Sequence, residues 1–375
     1  MHLPKIVIIV FLSTLIIGCN TLAKRNNSGV VVARRAQIRS STAVVAADLL
    51  EVNRGDAVDI LDSVDVQDPS DNTKKERWLR VRGHDDASTE GWIESRNIMP
   101  NDVLEASRKI AEQEKNVPAQ ATGQLRASSN LRLTPDRSAN ENIMMRLDSG
   151  SSFEIIEWKR VAKPKSSEAI ESDIAPKAGS AQPGNTAAKN NEQENEPEET
   201  NELWYKVRLP APFSPAPAGW IYGKQVELSV PSDIIFYRTG REFVAWQRLD
   251  DDASERETSP KDKDAARESK PGSWVILEKS SSNQPHTLDE PDFDRIYVLG
   301  YDKHNQEHYT AYRSPDVKGF LPLRVEGHGD NKTFTTRIQY ESGQIREAKY
   351  TLYKDARSIL KVSAPSLPAR ERRRR

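Results

Sequence analysis

Two stretches of the chain carry the same residue types at closely matched intervals, and this internal repeat limits the fold more than any other feature. The first copy has Ile38-Arg39, then Val52, Gly55, Val58, Ile60 and Leu61, then Trp78-Leu79-Arg80-Val81-Arg82 and Gly91-Trp92-Ile93. The second has Leu131-Arg132, then Leu147, Gly150, Phe153, Ile155 and Ile156, then Trp204-Tyr205-Lys206-Val207-Arg208 and Gly219-Trp220-Ile221. The steps from Val52 to Ile60 and from Leu147 to Ile155 are identical, and the large difference in length falls between Leu61 or Ile156 and the Trp segment that follows. Side chains alternate between the two faces of a strand, so Val58 and Ile60 share one face with Asp59 on the other, as do Phe153 and Ile155 with Glu154. By the same rule Leu79, Val81, Tyr205 and Val207 take an apolar face. Trp78 with Arg80 and Arg82, and Trp204 with Lys206 and Arg208, take the opposite, more polar one. Short alternating strands broken by Gly and polar turns suit a small closed barrel.

At these residues the chain resembles the bacterial SH3-like family, whose pattern runs from an Arg-containing first strand through a Gly turn to Trp-x-x-Val and then Gly-Trp-Ile or Gly-Trp-Val. The resemblance covers about residues 29–100 and 122–230. It implies two small non-catalytic barrels that bind cell-wall peptides or protein partners. In eukaryotic relatives a Pro and a Tyr after the Gly-aromatic-Ile strand build a groove for proline-rich peptides. Those places hold Glu94 and Ile98, or Tyr222 and Val226, so recognition of that kind is not carried over. The candidate ligand-binding residues are Trp78, Arg80, Trp204, Lys206 and Tyr222, while Trp92 and Trp220 are assigned to core or barrel edge.

The N-terminus has one Lys and no acid in residues 1–5, followed by an apolar run from Ile6 to Ile17 broken by Ser13 and Thr14. About twelve apolar residues are too few to span a ~30 Å hydrocarbon core, which points to an export signal. Ile16-Ile17-Gly18-Cys19 resembles the lipobox of bacterial lipoproteins, which implies cleavage before Cys19 and lipid attached to it. Cys19 is the only Cys in 375 residues, so a disulfide framework and a thiolate metal cluster are excluded. Asn20, where Asp is the usual inner-membrane retention signal, favours the outer membrane facing the periplasm over the inner membrane or the cell surface. Within the lipidated Cys and tether at 19–29, the ten or so residues from Asn20 to Gly29 reach no further than ~35 Å when fully extended.

The fold class expected is all-β: two SH3-like barrels (30–100 and 122–230) joined by a short helix within 101–121, followed by a third all-β module at 231–363, a sandwich or barrel. The helix is expected over Asp102 to Lys115, capped by Asn101 or Asp102 and ended before Pro118. Residues 162–202 are rich in Ser, Ala, Pro, Asn and Glu without periodicity and read as a disordered insertion in the second barrel. Pro210 to Pro217 favours a stiff polyproline II loop. The third module shows β-type segments at Ile234–Arg238, Phe243–Leu249, Trp274–Glu278, Arg295–Tyr301, His308–Tyr312, Phe320–Val325, Phe334–Tyr340 and Ala348–Tyr353. A loop at 250–271 and the basic tail 364–375 read as disordered.

The chain offers little for catalysis and no cofactor is expected. Its net charge of -1 argues against nucleic acid as a partner. Neither a Gly-rich phosphate loop nor a Gly-x-Ser-x-Gly elbow is present. The one formal motif, His304-Asn305-Gln306-Glu307-His308, fits the His-x-x-Glu-His pattern of metallopeptidases. That chemistry needs the two imidazoles on one face of a helix. The flanks Ile296 to Leu299 and Tyr309 to Tyr312 are strand-like, which makes Asn305-Gln306 a hairpin tip and His304, Glu307 and His308 a weak metal candidate. The leading function is a membrane-anchored, non-catalytic envelope lipoprotein that binds peptidoglycan or an envelope protein. The alternative is an envelope hydrolase or metallopeptidase whose active site lies in the third module.

Overall fold

The computed structural model describes residues 27–68, 71–138, 140–164, 200–250, 271–281 and 286–365. Cys19, most of the 162–202 insertion, residues 251–270 and the Arg-rich tail lie outside the described residues. The chain divides into two compact units, 1–106 and 107–375. Among the described residues there is one α-helix, α1 (Asn101–Gln113), and no helix is long and apolar enough to cross a membrane. The helix lies where the sequence places it.

The first unit contains β1 (Ser28–Val31), β2 (Arg35–Arg39), β3 (Asp48–Asn53), β4 (Ala57–Asp68), β5 (Asp71–Gly83), β6 (Glu90–Glu94) and β7 (Ile98–Pro100). They form one curled antiparallel sheet in the order β3-β2-β6-β5-β4-β1-β7. The second copy contains β8 (Ala121–Leu125), β9 (Ser129–Arg132), β10 (Ile143–Leu147), β11 (Ser152–Ala162), β12 (Asn201–Arg208), β13 (Ala218–Tyr222) and β14 (Val226–Leu228). Its order, β10-β9-β13-β12-β11-β8-β14, is the first order shifted by seven strands. The register repeats as well: Trp78 lies opposite Glu94 and Arg80 opposite Trp92, as Trp204 lies opposite Tyr222 and Lys206 opposite Trp220. Both long hairpins bulge at the same place, between Ile60 and Asp62 and between Ile155 and Glu157, which sets Leu61 and Ile156 as the extra residues. Gly55 and Gly150 both turn the chain at positive φ, 95° and 79°, a conformation that strains any residue with a Cβ. These two sheets have the build of small SH3-like barrels.

Alternation explains the cores. Ile38, Val52, Val58, Leu79, Val81, Ile93 and Ile98 form one buried cluster in the first barrel. Leu131, Leu147, Phe153, Tyr205, Val207, Ile221 and Val226 are their buried counterparts in the second, and Ile155 is buried where the first barrel has the partly buried Ile60. Each aliphatic side chain taken fully out of water contributes about 1.5–3 kcal/mol.

Among the described residues the third module has eight strands: β15 (Arg241–Arg248), β16 (Trp274–Ser280), β17 (Arg295–Asp302), β18 (Glu307–Arg313), β19 (Gly319–Glu326), β20 (Thr333–Gln339), β21 (Ile345–Lys354) and β22 (Leu360–Ser363). They make two four-stranded meanders, β15 to β18 and β19 to β22, around a single core that includes Val275, Leu277, Val298, Leu323, Phe334, Ile338 and Tyr350. β15 runs beside β19 and β18 beside β22. Two sequence expectations are corrected. Ile234–Arg238 is not a strand: Ile235–Tyr237 is a 3-10 turn that buries Ile234 and leaves Phe236 86% exposed. Pro210 to Pro217 is not an extended polyproline II segment: the Leu209 N–H bonds the Pro217 carbonyl, and Ser214 is buried with its hydroxyl against the Met145 sulfur.

Within the second unit, the barrel and the third module are joined by hydrogen bonds around the buried amide of Gln120. Gln120, fully buried, donates from Nε2 to the Leu323 carbonyl at 3.0 Å and accepts the Leu323 N–H on Oε1 at 2.6 Å. Gln247, on β15 of the third module and half-buried, donates to the same carbonyl at 2.8 Å and to the Ala119 carbonyl at 3.3 Å, and the Trp246 N–H bonds the Gln120 carbonyl. Trp158, at the far end of β11, packs against the third module's core.

Candidate functional site

The polar face of the second barrel is filled by its own side chains. Trp204 is fully buried and clusters with Trp220 and Tyr222, which are 7% and 5% exposed. The Trp204 and Tyr222 ring centroids lie 5.6 Å apart. Over Tyr222 sits the Arg137 guanidinium, 4.8 Å from the ring centroid, and Arg137 makes a buried bidentate bond to Glu202 with Nε at 3.0 Å from both carboxylate oxygens. Lys206 covers Trp220 at 5.1 Å and bonds Glu114, just beyond α1, at 2.7 Å, with Glu157 on its other side. Burial alone would lower the Lys206 ammonium, and its bonds to Glu114 and Glu157 outweigh burial and hold it above the ordinary lysine value.

The first barrel places its residues similarly. Trp78 is 6% exposed and stands outside the barrel's apolar cluster, while Trp92 is half-buried. Arg80 is exposed but bonds Glu90 at 2.9 Å, and Arg82 bonds the same carboxylate at 2.6 Å. Bonding to Arg82 holds Glu90 below its ordinary value. Thus the sequence-assigned binding aromatics Trp78, Trp204 and Tyr222 present no open ring face, and Arg80 and Lys206 already hold carboxylates.

The concave site lies elsewhere. A cavity of about 520 Å³ opens at one end of the third module, where four turns far apart in sequence converge. Its floor is Leu249, Leu352, Ile359, Leu360 and the Tyr309 ring. Its rim includes Lys303 and His304 from the β17–β18 turn, and Lys354, Arg357 and Ser358 from the β21–β22 turn. The two turns are held by carboxylates. Asp302 accepts the N–H groups of His304 at 2.8 Å and Asn305 at 3.2 Å. Asp355 accepts those of Ile359 at 3.0 Å and Arg357 at 2.9 Å. These bonds hold both carboxyls below the usual carboxylate range. Across the seam between the meanders, Tyr309 accepts the Leu360 N–H on its hydroxyl at 2.6 Å, and burial raises that phenol. Gly300 leaves room for the Tyr309 ring, since a Cβ there would overlap it. Lys332, 7% exposed, donates to the Leu249 carbonyl beside the floor.

The His-x-x-Glu-His residues occupy a hairpin. His304 and Glu307 are exposed, with Gln306 at φ 56° in the tip. The His308 ring faces away, toward Tyr237 and Tyr301 at 5.4 and 5.0 Å, and its Nε2 bonds the Gly272 carbonyl at 2.8 Å. Sequence reasoning missed its neighbour Asp233, which accepts the Trp274 indole N–H at 2.8 Å and lies 3.9 Å from His308 Nε2. Among the described residues no group of three His, Cys, Asp or Glu is placed to hold a metal ion. The arrangement of cations around an apolar and aromatic floor can bind an anion. Neither a protein-family model nor a curated protein matches this chain.

Proposed function

We propose that the chain is a lipid-anchored, non-catalytic protein of the bacterial envelope that binds peptidoglycan peptides or an envelope protein through its third module, with the second barrel serving as a braced support. The observation that carries this reading is the contrast between the closed aromatic face of the second barrel and the open cavity of the third module. A site of about 520 Å³ falls in the range of small-ligand and peptide pockets. Two further features support it. The buried amide of Gln120, which bonds Leu323, and the half-buried amide of Gln247, which bonds the Ala119 carbonyl, fix the second barrel to the module that carries the cavity. The lipobox-like Ile16 to Cys19 supplies an anchor, and two or more acyl chains on one residue hold a protein stably at a membrane.

Two measurements test it. Radiolabelled palmitate should be incorporated into the parent chain and not into Cys19→Ser, which should also leave the membrane fraction. Unchanged membrane retention of Cys19→Ser removes the anchor. The soluble Cys19→Ser chain should cosediment with purified peptidoglycan sacculi. Absence of sedimentation removes the wall as ligand and leaves a protein partner.

A further inference from the structure

We infer that the cavity of the third module takes a short peptide bearing free carboxylates, with Lys303, Lys354 and Arg357 as the cations that receive them. The inference rests on the reading of this chain as a binding protein and gives that reading a site and a ligand chemistry. Charge is the first ground. Lys303 and Arg357 come from different turns and both edge the same cavity, with Lys354 beside Arg357. Among the described residues none of the three side chains has an ion-pair partner, whereas the exposed Arg80 and the half-buried Arg208 on the barrels each have one. The acids at the rim are engaged: Asp302 with the backbone of its turn, and Asp250 with the Ser273 N–H. Those hydrogen bonds leave both carboxylates charged, but the lining sets Lys303, Lys332, Lys354 and Arg357 against Asp250 and Asp302, and this positive surplus favours a carboxylate at the mouth.

The floor decides what body the anion has. Leu249, Leu352, Ile359 and Leu360 are interleaved with the hydroxyls of Ser273 and Tyr309, each of which accepts a backbone N–H and has its own O–H to give, and Ser358 adds a third hydroxyl at the rim. An aliphatic chain would leave those polar groups facing hydrocarbon, at a cost for each. A peptide matches them, because its apolar side chains and its amides alternate along one short length. The volume suits a few residues rather than a folded domain.

The test uses the full mature chain with Cys19→Ser and an acetylated tetrapeptide of alternating leucine and glutamate, with its carboxylates free or all amidated. Binding is read by titration calorimetry at low and at physiological salt. The free-carboxylate peptide should bind at least tenfold more tightly than the amidated one, about 1.4 kcal/mol, and should weaken as salt screens the rim. The variant Lys303→Glu/Lys354→Glu/Arg357→Glu should lose at least tenfold in affinity while keeping the parent near-ultraviolet circular dichroism. Equal binding of the two peptides, independent of salt, overturns the inference through the parent protein alone. Retention on sacculi with no peptide binding also overturns it and leaves the wall reading standing at another surface. Peptide binding without retention on sacculi supports the inference and removes the wall as its source.

Discussion

Replacing Gln120 with Ala should uncouple the cavity-bearing module from the second barrel, and its size can be worked from three bonds. The carboxamide gives one N–H to the Leu323 carbonyl at 3.0 Å and one to the Pro118 carbonyl at 2.8 Å, and it accepts the Leu323 N–H at 2.6 Å. The ladder between β19 and β20 skips from Phe320 to Arg324, so Leu323 lies in a bulge where the side chain of Gln120 supplies what a neighbouring strand would. The Leu323 carbonyl keeps Gln247 in the variant, but its N–H is left buried without a partner. An orphaned buried donor costs about 1–3 kcal/mol, and the two lost donations contribute about 0.5–1.5 kcal/mol each. Gln120→Ala should therefore destabilise the second unit by about 2–6 kcal/mol. Urea unfolding followed by tryptophan fluorescence reads this as a lowered midpoint, and hydrogen exchange should show the Leu323 amide losing protection first. Because Gln120 and Gln247 share one acceptor, Gln247→Ala added to Gln120→Ala should depart from additivity by at least about 0.5 kcal/mol. A Gln120→Ala midpoint within error of the parent, with Leu323 still protected, would refute the role assigned to this amide.

Three other outcomes follow from the geometry. Trp204→Ala empties a fully enclosed site and should cost about 3–5 kcal/mol in unfolding experiments, while the folded fraction keeps parental binding to sacculi; a binding defect at parental stability would restore Trp204 as a ligand residue. Gly300→Ala forces the Tyr309 ring aside, and should cost about 1–3 kcal/mol by overpacking and break the Leu360 N–H bond. Tyr309→Phe should remove that bond without the crowding, and a smaller loss than Gly300→Ala separates the two effects. Asp302 and Asp355 have folded values below the ordinary 3.8, so their stabilisation is full above about that pH and is lost as pH falls through the depressed values. Thermal unfolding of the parent should weaken below about pH 4, and the variant Asp302→Asn/Asp355→Asn should lose part of that dependence.

The repeat was legible because each of its marks has a local cause. Gly55 and Gly150 sit at positive φ, and the Gly-Trp-Ile strands need a bare backbone, since a Cβ at Gly91 would lie 2.5 Å from the Arg39 carbonyl oxygen. Alternation also put Trp78 and Trp204 on the face away from the barrel core. Their burial was not legible. The groups that enclose the second aromatic face, Arg137, Glu202 and Glu114, are brought together by tertiary folding and carry no shared sequence signal. Short apolar runs were the other weak point. Ile234 to Tyr237 reads as a strand by composition but turns, whereas Leu360–Ser363 pairs with β21 and is too short to announce itself. The cavity depended on four separated turns, and Gln120 is one amide among many polar residues.

Binding is proposed to run through the cation-rimmed cavity of the third module. Its decisive measurement is cosedimentation of the soluble Cys19→Ser chain with sacculi, beside the same chain carrying Lys303→Glu, Lys354→Glu and Arg357→Glu. Strong retention of the first and at least tenfold weaker retention of the second is the predicted result. Equal retention of both, with folding intact, would contradict it.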